Sequence, residues 1–388
     1  MSRFYSYLNS AAYLLDHYKG ELPFAIFLKQ YFAKEKKYGS KDRKFIGALC
    51  YHYFRTCKAI QHSNKETQLL MATFICENQP NALLAFLKPD WNSQIEADVA
   101  VKIALLQQEF QVDNIFPLAQ HISAAIDVQA FCKAMLVQPA LFLRLRPSKH
   151  DKVLEALTAA AIPFAKLAPN TVALANGSKM PDTLTLHGDY VVQDYGSQQV
   201  GDFIAPYLSR LSPQANIWDC CAASGGKSIM LADLGFTQHL YVSDIRASML
   251  ANLSQRFAEA GITNYTSFLA DLTSTDIKSP LPYYELILAD VPCSGSGTWG
   301  RTPEQISYFE EENLLAFSQR QKKIVQNISQ FLKPGGLLVY ITCSVFVEEN
   351  EEVVNTLIDS DFIQLASHYI AGYQHKADSM YLSILQKK

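Results

Sequence analysis

Two cysteines and an aspartate follow apolar segments of the chain, at positions where side chains can meet a ligand. Residues 286–289 form a short apolar run that leads into Asp290, and Cys293 comes directly after the next proline. Such a run is typical of a buried strand, and ligands of open α/β sheets bind at the carboxyl ends of strands. A turn with two glycines follows, and a second apolar run, 337–341, leads to Cys343. Since thiolates are nucleophiles and carboxylates exchange protons, these residues indicate a reaction site.

A glycine-rich segment follows the first strand of the same region. Residues 219–228 read Asp-Cys-Cys-Ala-Ala-Ser-Gly-Gly-Lys-Ser and open a helix. Glycines there let backbone N–H groups approach a ligand at the positive end of the helix. The spacing fits neither the P-loop pattern GxxxxGK[ST] nor the dinucleotide pattern GxGxxG. Taken alone, the segment is compatible with NAD, with FAD or with a tight turn that binds nothing.

Aspartates recur at the ends of four successive predicted strands: Asp219, Asp244, Asp271 and Asp290. Each could be a turn residue, which is a common position for aspartate. Four carboxylates at one edge of a parallel sheet would, however, face the same crevice. A ligand that carries ribose hydroxyls, adenine and a positive charge suits that crevice, and S-adenosylmethionine has all three features.

The elements that position these residues lie from residue 215 onward, where strand and helix patterns alternate. Repeated β-α-β units predict a mostly parallel, Rossmann-like sheet with right-handed crossovers, so the fold class is α/β. The predicted strands are 216–220, 240–244, 267–271, 286–290 and 337–341, and the predicted helices are 226–234, 247–260 and 314–332.

Two further regions precede the sheet. Residues 1–138 carry apolar residues at three- and four-residue spacing, which predicts a helical domain; Ser40 is the expected N-cap of one helix, and 94–110 form another. Residues 139–194 combine alternating, strand-like runs with one helical run, which predicts a small α+β module. The predicted domains are therefore 1–138, 139–194 and 195–388.

Composition is that of a globular protein in a reducing compartment. The chain has 388 residues, of which 49% are hydrophobic and 18% charged, enough for two or three domains with real cores. None of the eight cysteines forms a CxxC pair, so neither a zinc site nor a disulfide framework is indicated. The N-terminus lacks the order of a signal peptide, and no stretch has the length of a membrane span. We expect a cytoplasmic protein that does not contact a membrane, with Cys50, Cys57, Cys76 and Cys132 in the core.

Basic residues crowd one short stretch, although the formal charge of the whole chain is −3. Residues 29–44 contain seven basic and two acidic side chains, including Lys36, Lys37, Lys41 and Arg43. One interpretation is a solvated helical face, the usual role of such runs. The other is a patch that follows nucleic-acid phosphates, favoured by the aromatic residues among the lysines.

Three motifs closely resemble those of the Sun/NOP2 (RsmB-like) family of RNA cytosine-5 methyltransferases. Residues 221–227 are similar to the family's Cys-Ala-Ala-Pro-Gly-Gly-Lys loop, with Ser224 in the place of the proline. Residues 290–294 match Asp-x-Pro-Cys-Ser, and 342–350 carry Thr-Cys-Ser followed by Glu-Glu-Asn. The resemblance implies a Rossmann-like methyltransferase domain that uses S-adenosylmethionine. It extends more loosely to a NusB-like RNA-binding domain at the N-terminus.

The resemblance also implies a role for each side chain of the site. Cys343 would be the nucleophile that adds to carbon 6 of cytosine, which makes carbon 5 reactive toward the methyl group. Asp290 would support the base by hydrogen bonding and proton donation near N3. Cys293 would assist loss of the carbon-5 proton and release of the enzyme. Lys227 would help to hold the base and favour the Cys343 thiolate by its charge. The implied cofactor contacts are Cys221, Ala222, Ala223, Ser224, Gly225, Gly226, Lys227, Asp244, Arg246, Asp271 and Asp290.

The implied substrate is RNA, and small-subunit (16S) ribosomal RNA in particular. The target base must leave any stack before both of its carbons are reachable. In the loop 299–304, Arg301 could contact a phosphate or base and Trp299 could stack on one, or both could pack the loop. The basic residues Lys36, Lys37, Lys41 and Arg43 are the other candidate RNA contacts. A transfer-RNA cytosine methyltransferase, or a noncatalytic RNA-binding assembly factor, remains an alternative. We expect the protein to act as a monomer.

Overall fold

A computed structural model describes residues 3–212, 214–236 and 239–388; residues 1 and 2 of the predicted first domain lie outside it. The described chain forms two compact units. Unit 1 contains Met1–Gln120, Asp127–Gln138 and Trp299–Glu310, and unit 2 contains His121–Ile126, Pro139–Thr298 and Glu311–Lys388. These limits differ from the predicted domain ranges, because 121–126 pack with the later unit and 299–310 with the earlier one.

Unit 1 is helical. Its helices, numbered along the chain, are α1 (Arg3–His17), α2 (Phe24–Lys34), α3 (Ser40–Thr56), α4 (Lys65–Cys76), α5 (Ala82–Leu87), α6 (Pro89–Ser93), α7 (Val99–Leu106), α8 (Val128–Met135) and α13 (Gln305–Tyr308). The N-cap of α3 is Gly39 rather than Ser40, because the Asp42 side chain accepts the Gly39 N–H at 2.8 Å. The helix predicted over 94–110 is shorter, since the chain leaves the helical conformation at Gln107, where φ is 52°.

Trp299 belongs to the core of unit 1. Its side chain is 1% exposed and packs against Phe116 and Phe309, with ring centroids 5.3 and 5.1 Å apart. The suggestion that Trp299 offers a stacking surface to RNA is therefore wrong, and the alternative, that it packs the loop, is confirmed. An indole of this size stabilises the fold through the area it buries.

The first part of unit 2 is a small antiparallel sheet in the order β2-β3-β1-β4. Its strands are β1 (Leu141–Leu145), β2 (Phe164–Ala168), β3 (Thr171–Leu174) and β4 (Tyr190–Val192), with α9 (His150–Ala159) packed on it. Arg144 in β1 and Arg146 just after it both pair with Asp233, which belongs to the second part of unit 2; the Arg146 contact is 2.7 Å. Arg144 is only 7% exposed, so this pairing ties the small sheet to the rest of the unit.

The second part of unit 2 is a seven-stranded sheet in the order β10-β11-β9-β8-β5-β6-β7. The neighbouring strands β9, β8, β5, β6 and β7 are parallel; at the other edge, β11 pairs antiparallel with β9, and β10 pairs antiparallel with β11. Its strands are β5 (Ile217–Asp219), β6 (Leu240–Asp244), β7 (Tyr265–Leu269), β8 (Tyr284–Asp290), β9 (Leu332–Thr342), β10 (Phe362–Ile370) and β11 (Met380–Lys387). The helices are α10 (Tyr195–Leu208), α11 (Gly226–Asp233), α12 (Ala247–Glu259), α14 (Glu312–Ser329) and α15 (Glu351–Ile358).

This topology creates one ligand crevice. The strand order reverses at the β5–β8 pair, and ligands of open sheets bind at such a point, outside the carboxyl ends of the strands. Asp219, Asp244 and Asp290 are the last residues of β5, β6 and β8. Asp271 instead lies two residues beyond β7, which ends at Leu269. The predicted Rossmann-like fold is confirmed, and within the described residues no helix is long and apolar enough to cross a membrane.

Candidate active site

The two motif thiols meet at the carboxyl ends of the neighbouring parallel strands β8 and β9. The sulfur atoms of Cys293 and Cys343 are 3.4 Å apart, within hydrogen-bonding distance for sulfur. The turn after Cys293 is fixed on the Cys343 turn, because the Gly297 N–H donates to the Cys343 carbonyl at 2.9 Å. A side chain at Gly297 would not fit, since a Cβ there would lie 2.0 Å from the Ser379 carbonyl oxygen.

Hydrogen bonding and charge give the two thiols opposite acid strengths. The hydrogen bond from Cys293 lowers the pKa of Cys343 most; burial and the charge of Asp290 oppose this effect, and the charge of Lys227 adds to it. The same hydrogen bond and burial raise the pKa of Cys293 well above its usual value. Cys343 is therefore the thiol that forms a nucleophilic thiolate more readily, and Cys293 is the one that keeps its proton.

Lys227 and Asp290 form a close ion pair whose charges act on Cys343. The Lys227 Nζ lies 2.6 Å from Asp290 Oδ2, and Lys227 is 9% exposed. Burial alone would lower the pKa of Lys227, but the charge of Asp290 and its hydrogen bond outweigh burial and raise it. Lys227 thus remains a cation that holds the carboxylate of Asp290 in place.

A cavity of about 460 Å³ opens beside these groups and is of the size that holds a cofactor. It is lined by Cys220, Cys221, Ala223, Asp244, Ile245, Arg246, Ala270, Asp271, Leu272, Thr273, Asp290, Val291, Pro292, Cys293, Arg320, Ile324 and Cys343. Both thiols and three of the four strand-end carboxylates share this cavity. Of the predicted cofactor residues, Cys221, Ala223, Asp244, Arg246, Asp271 and Asp290 line it; Ala222, Ser224, Gly225, Gly226 and Lys227 do not.

The remaining carboxylate, Asp219, lies under the cavity rather than in it. It is 1% exposed, accepts the Ser228 hydroxyl at 2.6 Å, and burial raises its pKa to about 7. Asp244 accepts the backbone N–H groups of Ala223 at 3.2 Å and Arg246 at 2.9 Å, so it orders the loop ends around it. Its buried carboxylate is oriented before a ligand arrives.

The glycine-rich loop keeps its shape despite the serine at 224. Gly225 has φ of 83°, and a Cβ there would lie 2.7 Å from the Phe257 ring, so only glycine suits the position. The Ser224 hydroxyl accepts a hydrogen bond from Arg256 of α12. Hydrogen bonding to α12 thus restrains the loop at Ser224, where a proline ring would have restrained it conformationally.

Several cavity residues carried no signal in the sequence. Arg320 and Ile324 come from α14, whose pattern is that of an ordinary amphipathic helix. Thr273 donates its hydroxyl to Asp271 at 2.6 Å, and this bond lowers the pKa of Asp271. The Asx-type spacing of Asp271 and Thr273 is a detectable turn signal, whereas the contribution of α14 depends on the packing of the whole sheet.

The predicted RNA contacts lie in unit 1. Lys36, Lys37 and Lys41 are exposed at the α2–α3 corner, while Arg43 donates from Nε to the Tyr38 carbonyl at 2.9 Å. An open cleft of about 730 Å³ adjoins them; its lining includes Lys37 and four tyrosines, Tyr7, Tyr13, Tyr31 and Tyr38. Arg301 is exposed in the segment 299–310 of the same unit.

The cofactor cavity fits S-adenosylmethionine in its chemistry. Its carboxylates, Asp244, Asp271 and Asp290, can accept ribose hydroxyls and an amino group and can face a sulfonium charge. Its apolar wall, made by Ile245, Leu272 and Ile324, can contact an adenine ring. The seven-stranded sheet with this cavity at its switch point defines a Rossmann-like methyltransferase, a class whose cofactor is S-adenosylmethionine.

Comparison with known proteins places the chain within this class. Residues 207–380 match the family described as "16S rRNA methyltransferase RsmB/F". The "Probable ribosomal RNA small subunit methyltransferase B" of Synechocystis sp. is 28% identical over 272 residues, which are 66% of this chain and 58% of that relative. The chain spans about half the length of the curated relatives it matches.

Solved structures share the fold at low identity. The crystal structure of PH0851 aligns over 99% of this chain and 98% of its own, with a TM-score of 0.69 and 16% identity. NSun6 from Pyrococcus horikoshii, solved with SFG, covers 70% of this chain and 97% of its own, with a TM-score of 0.59 and 14% identity. Residues 207–380 thus match the RsmB/F family, and the predicted resemblance to the Sun/NOP2 family is confirmed.

Proposed function

We propose that this protein methylates carbon 5 of a cytosine in RNA, most directly in small-subunit ribosomal RNA, through a covalent adduct of Cys343 with carbon 6. The observation that carries the proposal is the pair of thiols 3.4 Å apart on one cavity with Asp290. A methyltransferase that only bound RNA, or that methylated an already nucleophilic atom, would have no need of two thiols there. The names of the relatives support RNA, and ribosomal RNA in particular, as the substrate.

The nucleophile is Cys343, because its environment favours the thiolate. Carbon 5 of cytosine is a poor nucleophile until a group adds to carbon 6. Attack by the Cys343 sulfur forms the S–C6 bond and moves the ring electrons toward N3. The lowered pKa of Cys343 increases the fraction of thiolate available for this step.

Asp290 stabilises the electrons that accumulate at N3. Its Oδ2 is held by Lys227 at 2.6 Å, and the residue lines the cavity with the thiols. As the thiolate adds, Asp290 can pass a proton from Lys227 to N3, and the pair takes this proton back when the ring double bond is restored. Lys227 does not line the cavity, so we assign it to positioning Asp290 and to stabilising the Cys343 thiolate rather than to contact with the base.

S-adenosylmethionine supplies the methyl group when it is bound against Asp244, Asp271 and Asp290. Cys293 then completes the reaction, because it lies beside the sulfur attached to carbon 6. Once the Cys343 sulfur is bonded to carbon 6, Cys293 no longer donates its proton to a thiolate; it gives that proton to solvent and then accepts the proton from carbon 5. The electrons of the C–H bond restore the ring double bond, and the S–C6 bond breaks to release Cys343 as a thiolate.

Nucleoside mass spectrometry with methyl-labelled S-adenosylmethionine tests the reaction and the substrate together. Ribosomal and transfer RNA are taken separately from cells that lack the gene and are incubated with the purified protein. We expect labelled 5-methylcytidine in the ribosomal pool. Label in transfer RNA alone would overturn the substrate but not the reaction. Absence of label from both pools, with cofactor binding intact, would overturn the proposed activity.

Replacing Cys343 tests the mechanism. We expect Cys343→Ala to lower methylation on the order of 10³-fold or more, as is typical when a covalent nucleophile is removed. Cys57→Ala is the matched control, because Cys57 is a thiol of unit 1 whose sulfur contacts Ser307, far along the chain from the site. Full activity of Cys343→Ala would rule out the covalent mechanism.

A further inference from the structure

One buried carboxylate joins the two turns that carry the thiols. Ser294 follows Cys293, Ser344 follows Cys343, and the carboxylate of Glu349 lies between the two serines. Glu349 is 0% exposed, although it follows the Cys343 turn by only a few residues. Moving a carboxylate out of water costs several kcal/mol unless hydrogen bonds compensate, so its presence here requires an explanation.

Four hydrogen-bond donors satisfy the Glu349 carboxylate. Its Oε1 accepts the Ser294 backbone N–H at 2.8 Å and Gln321 Nε2 at 3.0 Å. Its Oε2 accepts the hydroxyls of Ser294 and Ser344, each at 2.5 Å. Charge-assisted hydrogen bonds of this kind are short and strong. Each turn is therefore attached to the same carboxylate.

The backbone and surroundings of Glu349 are themselves fixed. The Tyr340 hydroxyl of β9 donates to the Glu349 carbonyl at 2.6 Å, and the Ser318 hydroxyl of α14 donates to the Glu348 carbonyl at 2.6 Å. Gln321 of α14 also donates to the Pro292 carbonyl, immediately before Cys293, at 3.0 Å. Glu349 is thus held in place by hydrogen bonds from strand β9 and from helix α14.

We propose that Glu349 is a positioning residue that holds Cys293 and Cys343 at the separation the reaction needs. The proposal rests on the proposed function, since only a two-thiol mechanism requires that separation. Glu349 does not line the cavity, so it is not placed to contact the substrate or the cofactor there. It acts through Ser294 and Ser344 on the residues that precede them.

The pKa of Cys343 distinguishes the effect of the Glu349 charge from the effect of its hydrogen bonds on the positions of the thiols. Cys293, Cys343 and Tyr340 interact electrostatically with Glu349, and burial raises its own pKa. Its charge makes a small contribution that raises the pKa of Cys343, whereas the hydrogen bond from Cys293 makes the largest contribution and lowers it. Loss of charge alone would therefore lower the pKa of Cys343, and loss of position would raise it.

The test compares Glu349→Gln with Glu351→Gln. The second variant is a matched control, because Glu351 is a nearby glutamate whose carboxylate accepts the hydroxyls of Ser123 and Tyr369. Methylation kinetics are measured together with the pH dependence of iodoacetamide alkylation, and peptide mass spectrometry identifies the alkylation of Cys343. Calorimetry with S-adenosylmethionine checks that each variant still binds the cofactor.

For Glu349→Gln we expect kcat to fall about 10- to 100-fold, the cost of misplacing reacting groups by about 1 Å, with KM for RNA changed by less than about twofold. We also expect the alkylation pKa of Cys343 to rise. Glu351→Gln should match the wild type in both readouts. A fall in the alkylation pKa of Glu349→Gln, or no change in it, would overturn the positioning role.

A second variant covers the case in which Glu349→Gln does not fold. Ser294→Ala combined with Ser344→Ala keeps the carboxylate and removes the hydroxyl contacts, so it should also raise the alkylation pKa of Cys343 and lower kcat. An unchanged pKa in this double variant would overturn the proposal. If the wild type makes no 5-methylcytidine, the proposed function fails, and alkylation still decides whether Glu349 positions the thiols.

Discussion

At the scale of single residues, the site depends on two chemically identical side chains that perform different tasks. The hydrogen bond between the two sulfurs lowers the pKa of Cys343 and raises that of Cys293, and the charge of Lys227 also lowers the pKa of Cys343. The sequence predicted both thiols and Asp290 through their motifs. It could not predict the hydrogen bonds to the Glu349 carboxylate, since their donors, Ser294, Gln321 and Ser344, lie on separate elements that only the fold brings together.

Replacing Cys293 should separate formation of the adduct from its release. In Cys293→Ala the base for the carbon-5 proton is missing, so the methylated adduct cannot resolve, and we expect turnover to fall about 10²- to 10⁴-fold. Protein–RNA complexes that survive denaturing electrophoresis should accumulate. The loss of the hydrogen bond also raises the pKa of Cys343, so the complexes should form faster at higher pH.

The control for this experiment is the double variant Cys293→Ala with Cys343→Ala, which has no nucleophile and should form no stable complex. If the double variant cross-links as well as the single one, then the complexes do not come from Cys343. Wild-type turnover by Cys293→Ala without any complex would contradict the assigned role of Cys293.

At the scale of elements, apolar runs predicted the central strands well. Residues 286–289 are 0% exposed, and the strand end at Asp290 was predicted correctly because a fully buried strand has an uninterrupted apolar pattern. The edge strand β7 was displaced, since its residues are mostly exposed and no apolar run marks its end. Asp271 still reaches the cavity, through the turn that follows β7.

The short 3-10 helix Ser296–Thr298, which follows β8, should tolerate no side chain at Gly297. A Cβ there would meet the backbone of Ser379 and Cys343, which are themselves held by β9 and β11. We expect Gly297→Ala to lower the free energy of unfolding by about 3 kcal/mol, as overpacking against fixed backbone does. The midpoint of urea denaturation measures this change.

Gly295→Ala is the matched control for Gly297→Ala in the same turn. Gly295 has φ of 72°, but its nearest contact for a Cβ is the Thr298 hydroxyl at 3.4 Å. Its replacement should cost about 1 kcal/mol from the left-handed backbone alone. Equal losses for the two variants would mean that the close approach at Gly297 contributes nothing to stability.

At the scale of the whole molecule, the sequence predicted the order of regions but not all of their membership. Residues 121–126 belong to unit 2, although unit 1 residues flank them in the sequence. Residues 299–310 belong to unit 1, although unit 2 residues flank them. Neither exchange has a local pattern, because both depend on contacts between distant residues. Burial of Trp299 against Phe116 is the clearest example, since an aromatic residue in a loop gives no sign of its partner.

The α2–α3 corner of unit 1 provides the last prediction, which concerns RNA affinity. Lys36, Lys37 and Lys41 are exposed, and residues 29–44 hold seven basic against two acidic side chains, so Glu35, which pairs with Lys37, and Asp42 leave an excess of positive charge. A local positive surface therefore persists on a chain of net charge −3. If RNA phosphates bind there, binding releases counterions and weakens with salt.

Replacing Lys36, Lys37 and Lys41 together by alanine should therefore reduce the dependence of RNA affinity on salt. Each phosphate contact with a single strand contributes about 0.7 to the slope of log affinity against log salt, so loss of the three lysines should reduce the slope by about 2. We also expect affinity to fall about tenfold at low salt. Fluorescence anisotropy across a salt series measures both. The matched control replaces the exposed Lys58, Lys88 and Lys133 of unit 1, which changes the net charge equally. Equal losses in the two triple variants would assign the effect to net charge and would exclude this corner as the RNA surface.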